Sequence, residues 1–430
     1  MKHSARVLAA LWIAALAAGC GVDQGLPTAP DDPARSRISS STGGSHGGGG
    51  GDLGGGSMGI TSPQMVVPDS TQFVVKMRPG ADPEALVDMF GLEIVYTEAC
   101  DGGVAVLYNN PAGVDISQLG DYAGVEEAAT NREVYLLEGA SLVIGFYEGE
   151  WDDGTAGDQD ALARLELPRV HALATGAGVR VAVLDTGVDA DHRFLKANLE
   201  LLPGGSTMGS LETKNGIDDD GDGYVDEAYG HGTHVSGIAL QVAPGITIIP
   251  IKVLNDEGMG SFWDLVRAME ITRKLGADIV NLSLSLSEPV EMFDRILSDC
   301  VSRGVPVVAA AGNAGWGTAA YPGTSPMTLG AAAVDSVDAL AEFSGGGPEI
   351  HVAAPGVRIL SCYPGQGMAS ASGTSMATPA TVGSVAILVE GLGLAPITAA
   401  HRVAGTTDPV FPGSGVLHGR ISPLNALTEK

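Results

Sequence analysis

Asp185, His231, Asn313 and Ser375 are the residues of this chain whose types and settings add up to a reaction. Each lies in a short block of glycines and small residues. Asp185 ends the apolar run Val181-Ala-Val-Leu-Asp185 and is followed by Thr186-Gly187. His231 opens His231-Gly-Thr-His-Val-Ser-Gly237, and Asn313 closes Ala309-Ala-Ala-Gly-Asn313. Ser375 lies in Gly373-Thr-Ser-Met-Ala-Thr-Pro379. Small neighbours let a substrate backbone approach closely. A carboxylate can orient an imidazole, the imidazole can deprotonate a hydroxyl, and an amide can donate to an oxyanion. Together these are the parts of nucleophilic acyl transfer.

Singly, each residue has a plainer reading. A strand-end aspartate can cap a turn, and a serine at a helix start usually caps that helix. His231 and His234 are three apart, but the zinc-protease helix needs a glutamate between two histidines, and none is present. Zinc is therefore not expected.

The elements that must position these side chains follow from apolar patterning. Val179–Leu184, Ile246–Ile251, Ile279–Leu284, Pro306–Ala311 and Thr328–Val334 read as buried strands. Gly237–Val242, Phe262–Leu275, Glu291–Arg303 and Ser375–Glu390 read as helices. Continuous apolar strands separated by helices predict an α/β fold: a parallel sheet with helices on both faces. In such sheets functional residues collect at the carboxyl ends of strands, where Asp185 and Asn313 stand. Upstream, residues 69–138 read as a small α+β, ferredoxin-like domain of order βαββαβ. Its strands are Phe73–Met77, Glu93–Glu98, Gly103–Tyr108 and Val125–Asn131, with a short helix near Val114–Leu119. Its first helix starts at Asp82-Pro83-Glu84, sets Leu86, Met89 and Phe90 on one face, and stops at Gly91.

Composition bounds the rest. The 430 residues carry 44% hydrophobic and 17% charged side chains, enough for one large core and a small second domain. A net charge of −28 argues against a nucleic-acid partner and suits an exported protein or cation binding. Residues 1–20 read as an export signal: Lys2 and Arg6, then the apolar run Val7–Ala18. The run ends Leu16-Ala-Ala-Gly-Cys20, which resembles a bacterial lipobox with Cys20 as the acylated residue, although that pattern prefers a larger aliphatic where Ala17 stands. No other segment reads as long and apolar enough to cross a bilayer. Residues 21–68 are a Gly/Ser-rich tether, in which His46 reads as solvated, and 139–158 a linker to the domain 159–430. The cysteines number four, and Cys300 and Cys362 could pair, which spacing alone leaves open.

The four catalytic blocks, in the order Asp, His, Ser, resemble the subtilases, the subtilisin-like serine proteases. The resemblance runs from about Gln159 to Leu427. It implies a serine endopeptidase acting on polypeptides, in which Ser375 attacks the carbonyl, His231 moves the proton, Asp185 orients His231, and Asn313 with the Ser375 amide binds the oxyanion. It implies no organic cofactor. It makes residues 69–138 a propeptide, a folding aid and inhibitor of the same chain whose last strand fills the cleft. Gly258 and Gly260 match one edge of that cleft, and Ser283, Leu284 and Ser285 the other. Phe262 and Leu265 match the pocket four residues before the cut. Ala320 matches the floor of the primary pocket, favouring an apolar or large side chain. The family has glycine where Ser285 stands, so its hydroxymethyl narrows access, and histidine where Ala380 stands, so packing there differs. Met376 matches the family, and its oxidation would depress activity.

A second motif is Asn215-Gly-Ile-Asp-Asp-Asp-Gly-Asp-Gly-Tyr-Val-Asp-Glu227. Asp218, Asp220, Asp222, Tyr224 and Asp226 have EF-hand spacing, and Gly223 permits the turn. Tyr229 stands where the closing glutamate belongs, so Asp226 or Glu227 must complete the shell. An acidic solvated loop is the plainer reading, but clustered carboxylates repel without a cation, so calcium is expected. A decayed, purely binding relative would have lost one of the four catalytic residues, and none is lost. A calcium-dependent structural protein would leave those four blocks unexplained.

Overall fold

The computed structural model describes residues 71–136 except 101, and 160–202, 209–217, 225, 226, 228–410 and 416–429. The leader, Cys20, the tether with His46 and the linker 139–158 lie outside the described residues.

The N-terminal unit has the expected order. It comprises β1 (Gln72–Met77), α1 (Glu84–Phe90), β2 (Glu93–Cys100), β3 (Gly103–Asn109), a 3-10 turn (Ile116–Asp121) and β4 (Val125–Thr130). The sheet runs β2-β3-β1-β4, and Gly91 ends α1 in the left-handed region at φ 69°. Met89 departs from expectation: it is 59% exposed, whereas Leu86 is fully buried. A two-turn helix presents only a narrow stripe to the sheet, and Met89 falls beside it.

Strand alternation gives this sheet two apolar faces. Phe73, Val75 and Met77 pack with Leu86, Tyr108 and Leu119 in the unit's own core. Val74, Ala105, Leu107 and Ala129 point the other way, into a core shared with Phe262, Val266, Met269 and Phe293. A further strand, β5 (Glu133–Tyr135), leaves the sheet altogether and was not anticipated.

After short helices at Asp160–Ala163 and Leu167–His171 the larger sheet begins. Its elements are β6 (Arg180–Asp185), α2 (His231–Val242), β7 (Thr247–Lys252), β8 (Met259–Ser261), α3 (Phe262–Leu275), β9 (Ile279–Leu282), β10 (Ser285–Leu286), α4 (Glu291–Ser302) and β11 (Val307–Ala310). There follow β12 (Leu329–Val334), β13 (Val352–Pro355), the hairpin β14 (Ile359–Tyr363) and β15 (Gly367–Ala371), α5 (Thr374–Leu392), α6 (Pro396–Gly405), β16 (Gly419–Arg420) and α7 (Pro423–Thr428). Seven strands pair in the order β16-β13-β12-β11-β9-β6-β7, and every pairing is parallel. The α/β parallel architecture expected from the apolar runs is therefore present.

Helix α5 corrects one expectation, because it is long and apolar enough to cross a membrane by length and composition. Every residue from Thr374 to Leu388 is buried, so its apolar character belongs to the protein core. It packs against α2. A Cβ built on Gly383 would lie 2.7 Å from Val242 Cβ, so glycine sets how closely the two helices approach. Cys300 and Cys362 do not pair: both are free thiols, Cys300 on α4 and Cys362 on β14.

His351 is buried behind the sheet, where its Nδ1 accepts from Gly330 N at 3.3 Å. Burial, with His418 and His401 nearby, pulls its pKa from 6.5 down to about 4. Below about pH 6.5 the unfolded chain takes up a proton that the folded chain refuses, so stability falls as the pH drops toward 4. The loss should total about 3 kcal/mol. Denaturant unfolding of the Ser375→Ala protein at pH 7, 5.5 and 4.5 checks this, and His351→Gln should flatten the acid-side slope.

Candidate active site

Asp185 is the last residue of β6, at the carboxyl edge of the parallel sheet, and only 1% exposed. His231 is the first residue of α2 and is fully buried. Asp185 Oδ1 accepts from Thr186 N at 2.7 Å and lies 2.7 Å from His231 Nδ1. A carboxylate in that place selects the imidazole tautomer with its proton on Nδ1. The neighbouring histidine serves the fold: His234 Nε2 lies 3.1 Å from Ile359 O and 3.0 Å from Ala369 O, tying α2 to the hairpin.

Behind this pair lie two charged residues that sequence reasoning missed. Lys252 pairs with Asp185 in the β6–β7 register and donates to Thr186 O at 2.7 Å. Burial pulls its pKa down, opposed by Glu212, Asp256 and Asp185. Glu212 is half-buried, and the loss of solvent around its carboxyl pushes its pKa up against the Thr186 hydroxyl and Lys252. It accepts from Thr186 Oγ1 at 2.6 Å, Gly230 N at 3.0 Å and Thr233 Oγ1 at 2.8 Å. A lysine closing an apolar strand was a readable signal for Lys252. Glu212 follows no periodic pattern and gave none.

Ser375 is the second residue of α5 and is buried. Its Oγ lies 3.4 Å from Ser283 O, and Ser283 Oγ donates to Ser375 O at 2.9 Å. Asn313 follows β11, and its Oδ1 accepts from Thr374 N at 2.9 Å and Thr374 Oγ1 at 3.0 Å. Thr374, the residue preceding Ser375, thus ties Asn313 to the start of α5, and Gly312 N donates to Thr374 Oγ1 at 3.1 Å.

The expected cleft edges surround a piece of the chain itself. β5 lies between β8 and β10 as the middle strand of a three-stranded antiparallel sheet. Val134 pairs with Gly260 and Leu286, and Tyr135 with Met259 and Ser285. Leu136 N donates to Gly258 O at 2.9 Å, and Phe262 N to Arg132 O at 2.8 Å. Trp263 N in the first turn of α3 donates to Asn131 Oδ1 at 2.9 Å. Val134 is fully buried in one core with Phe262, Leu265 and Leu284. Gly258, at φ 76°, would bring a Cβ within 3.0 Å of the Leu136 side chain. Ala320 donates its N–H to Ala311 O at 2.7 Å and lies against Gly312. The Ser285 hydroxyl is folded toward Tyr321 O at 2.8 Å. Ala380 and Met376 are buried within α5.

Of the expected calcium ligands, Asp218, Asp220, Asp222 and Tyr224 lie outside the described residues, as does Glu227. Asp226 has φ 53°, and its Oδ1 accepts from Asn215 N and Gly216 N, each at 3.1 Å. Its carboxyl hydrogen-bonds that of Asp256, whose pKa is pushed up to about 6 by burial and by this contact. Glu257 Oε1 accepts from Asp226 N at 2.7 Å. Among the described residues no group of three acidic, histidine or cysteine side chains could hold a metal. Two carboxyl groups set against each other nevertheless fit a place where a cation would relieve repulsion.

With this geometry in view, residues 176–401 match the family model described as the subtilase family. The chain is 35% identical to Subtilisin Savinase of Lederbergia lenta over 238 residues, which are 53% of this chain and 82% of that protein. It is 35% identical to Subtilisin DY of Bacillus licheniformis over 227 residues, 50% of this chain and 77% of that protein. A third relative is an alkaline protease of Alkalihalobacillus alcalophilus, 35% identical over 53% of this chain and 58% of that protein. A parallel α/β sheet whose strand end holds a buried aspartate–histidine pair, matched over 226 residues to one family, leaves a single classification: the chain belongs to the subtilases and is a serine endopeptidase.

Proposed function

We propose that this is an exported subtilase made as a self-processing zymogen, with Asp185, His231 and Ser375 as its triad and Asn313 as an oxyanion donor. The observation that carries the zymogen reading is β5, seated between β8 and β10. An extended peptide added between two strand edges is held by main-chain hydrogen bonds, which tolerate many sequences, while alternate side chains enter pockets. Polypeptide substrates would bind in the same way, with an aliphatic side chain in the pocket that Val134 occupies.

In the reaction the Ser375 hydroxyl attacks the peptide carbonyl as His231 takes its proton. Asp185 keeps the imidazole in the required tautomer and stabilises its cation. The oxyanion accepts from Asn313 Nδ2 and from the Ser375 amide at the start of α5. His231 then returns the proton to the leaving amine, and water repeats the sequence on the acyl-enzyme.

The antiparallel register suggests the first bond cut. Ser285 faces Tyr135, and the same pairing continued for two more residues would bring position 137 opposite Ser283, the residue whose carbonyl lies beside Ser375 Oγ. We therefore place self-cleavage between Leu137 and Glu138, residues outside the described part of the chain. The severed unit 69–138 would stay bound as an inhibitor through its shared core. Acylation of Cys20 would tether the precursor to a membrane, and the cut would free the catalytic domain from that anchor.

Calcium bound by the loop from Asp218 to Asp226 would stiffen the segment that leads into His231, and no step of the reaction passes through it. Titrating purified protein with a calcium chelator should lower both the melting temperature and the turnover, and re-adding calcium should restore them. Unchanged values would remove calcium from this reading.

Intact-mass spectrometry of wild type beside Ser375→Ala tests the rest. Wild type should yield two fragments divided after Leu137, and Ser375→Ala a single chain. Cleavage within 139–158 would contradict the register argument, and an uncut, active wild type would contradict the zymogen. The same spectra report any acyl mass on Cys20.

A further inference from the structure

We propose that Glu212 is a positioning residue for this reaction: its carboxylate clamps the first turn of the His231 helix onto the Asp185–Thr186 strand end. This rests on the reading of Asp185, His231 and Ser375 as the triad.

Helix α2 starts without a cap of its own, because its N-cap is Gly230, at φ 95°. The amides of its first turn must find acceptors elsewhere. His231 N donates to Ala228 O at 3.0 Å. Gly232 N donates to Thr186 Oγ1 at 2.9 Å, and Thr233 N to Glu212 Oε2 at 3.3 Å. The Thr186 hydroxyl passes its own hydrogen to Glu212 Oε1 at 2.6 Å, where Gly230 N also donates. The Thr233 hydroxyl donates to Oε2 at 2.8 Å and accepts from Asp189 N at 2.8 Å. One carboxylate thus gathers donors from both sides of His231 and from the residue after Asp185.

Glu212 is itself held in place. The segment 210–212 runs along the residues after Asp185, with Val188 N donating to Ser210 O at 2.9 Å and Glu212 N to Val188 O at 3.0 Å. A Cβ on Gly187 would fall 2.6 Å from Leu211 backbone atoms, so only glycine allows the two chains to lie this close. Its negative charge also faces the positive end of α2.

A carboxylate is the side chain suited to this task, because both of its oxygens accept. An amide offers one accepting end, so glutamine must turn an NH2 group toward either Gly230 N or Thr233 N. Those backbone donors cannot rotate away. Relaxation then moves the start of α2, and with it the imidazole relative to Asp185 and Ser375. Small misplacements of reacting groups mainly lower kcat, while the cleft edges at β8 and β10 are untouched and KM holds.

The experiment compares self-processed wild type with Glu212→Gln, Thr186→Val and Thr186→Ser. Active sites are titrated with a fluorophosphonate, so that misfolded protein drops out of the count. Then kcat and KM are measured on one chromogenic peptide. Glu212→Gln and Thr186→Val should lose about 10- to 100-fold in kcat per titrated site, with KM within about twofold of wild type. Thr186→Ser keeps the hydroxyl and should recover most of the activity. Wild-type kcat per site in Glu212→Gln overturns the proposal, as does a loss confined to KM. Should Glu212→Gln yield no folded protein, the threonine pair decides, and a fully active Thr186→Val overturns it. A wild-type chain that takes no fluorophosphonate at Ser375 defeats the protease mechanism instead, which is a separate result.

Discussion

A carboxylate at the end of a buried strand must be given donors and a countercharge, and much of this molecule is arranged around that demand. Asp185 has almost no contact with solvent, so water cannot stabilise its charge. Thr186 N and the His231 ring lie against one oxygen, and Lys252, its neighbour across the β6–β7 pairing, lies behind. Lys252 is itself buried, and Glu212 and Asp185 oppose the pull that burial exerts on it. Removing any member would leave another charge stranded in a low-dielectric setting. The parallel sheet is what makes the arrangement available, because it ends β6 and β7 at the same edge and sets α2 to begin beside them.

The second constraint is the backbone of two short strands outside the larger sheet. β8 and β10 are short strand edges that pair with nothing in the larger sheet, and β5 satisfies both. The contact extends beyond hydrogen bonds. One face of the N-terminal sheet joins the same apolar core as α3 and α4, so docking it buries Val74, Leu107 and Ala129. The ion pairs across this boundary, such as Lys274 with Glu98 at 3.1 Å and Arg295 with Glu127 at 3.5 Å, are partly exposed and add little. Apolar burial and strand pairing carry the association.

How much could be read beforehand differs by element. α3 runs over Phe262–Leu275 as its apolar spacing requires, because Ser261 caps it and Gly276 ends it. The five strands read from apolar runs, β6, β7, β9, β11 and β12, fall within a residue or two of those runs. By contrast β8, β10 and β5 are two or three residues long. They exist only because a partner lies alongside, and no local pattern announces them. α2 begins at His231, the residue read as a helix start, although apolar patterning marks only Gly237–Val242; its glycine-rich first turn has poor intrinsic propensity and is held by Glu212 and Thr186 from outside. Met89 looked like a core residue by spacing, but a two-turn helix buries only a narrow stripe and Met89 falls beside it.

What the amino-acid order by itself determined was the chemistry on offer: which side chains could act, that they end strands or begin helices, and that the strands form a covered parallel sheet. Residue type and apolar period are local properties, and they survive in the linear chain. Only the tertiary structure decided that Glu212 and Lys252 stand beside Asp185 and that β5 is the strand that lies between β8 and β10. Each of these is a pairing across tens to hundreds of residues. Its energy comes from burial and from donors meeting acceptors after the sheet has closed, and no periodicity along the chain encodes that meeting.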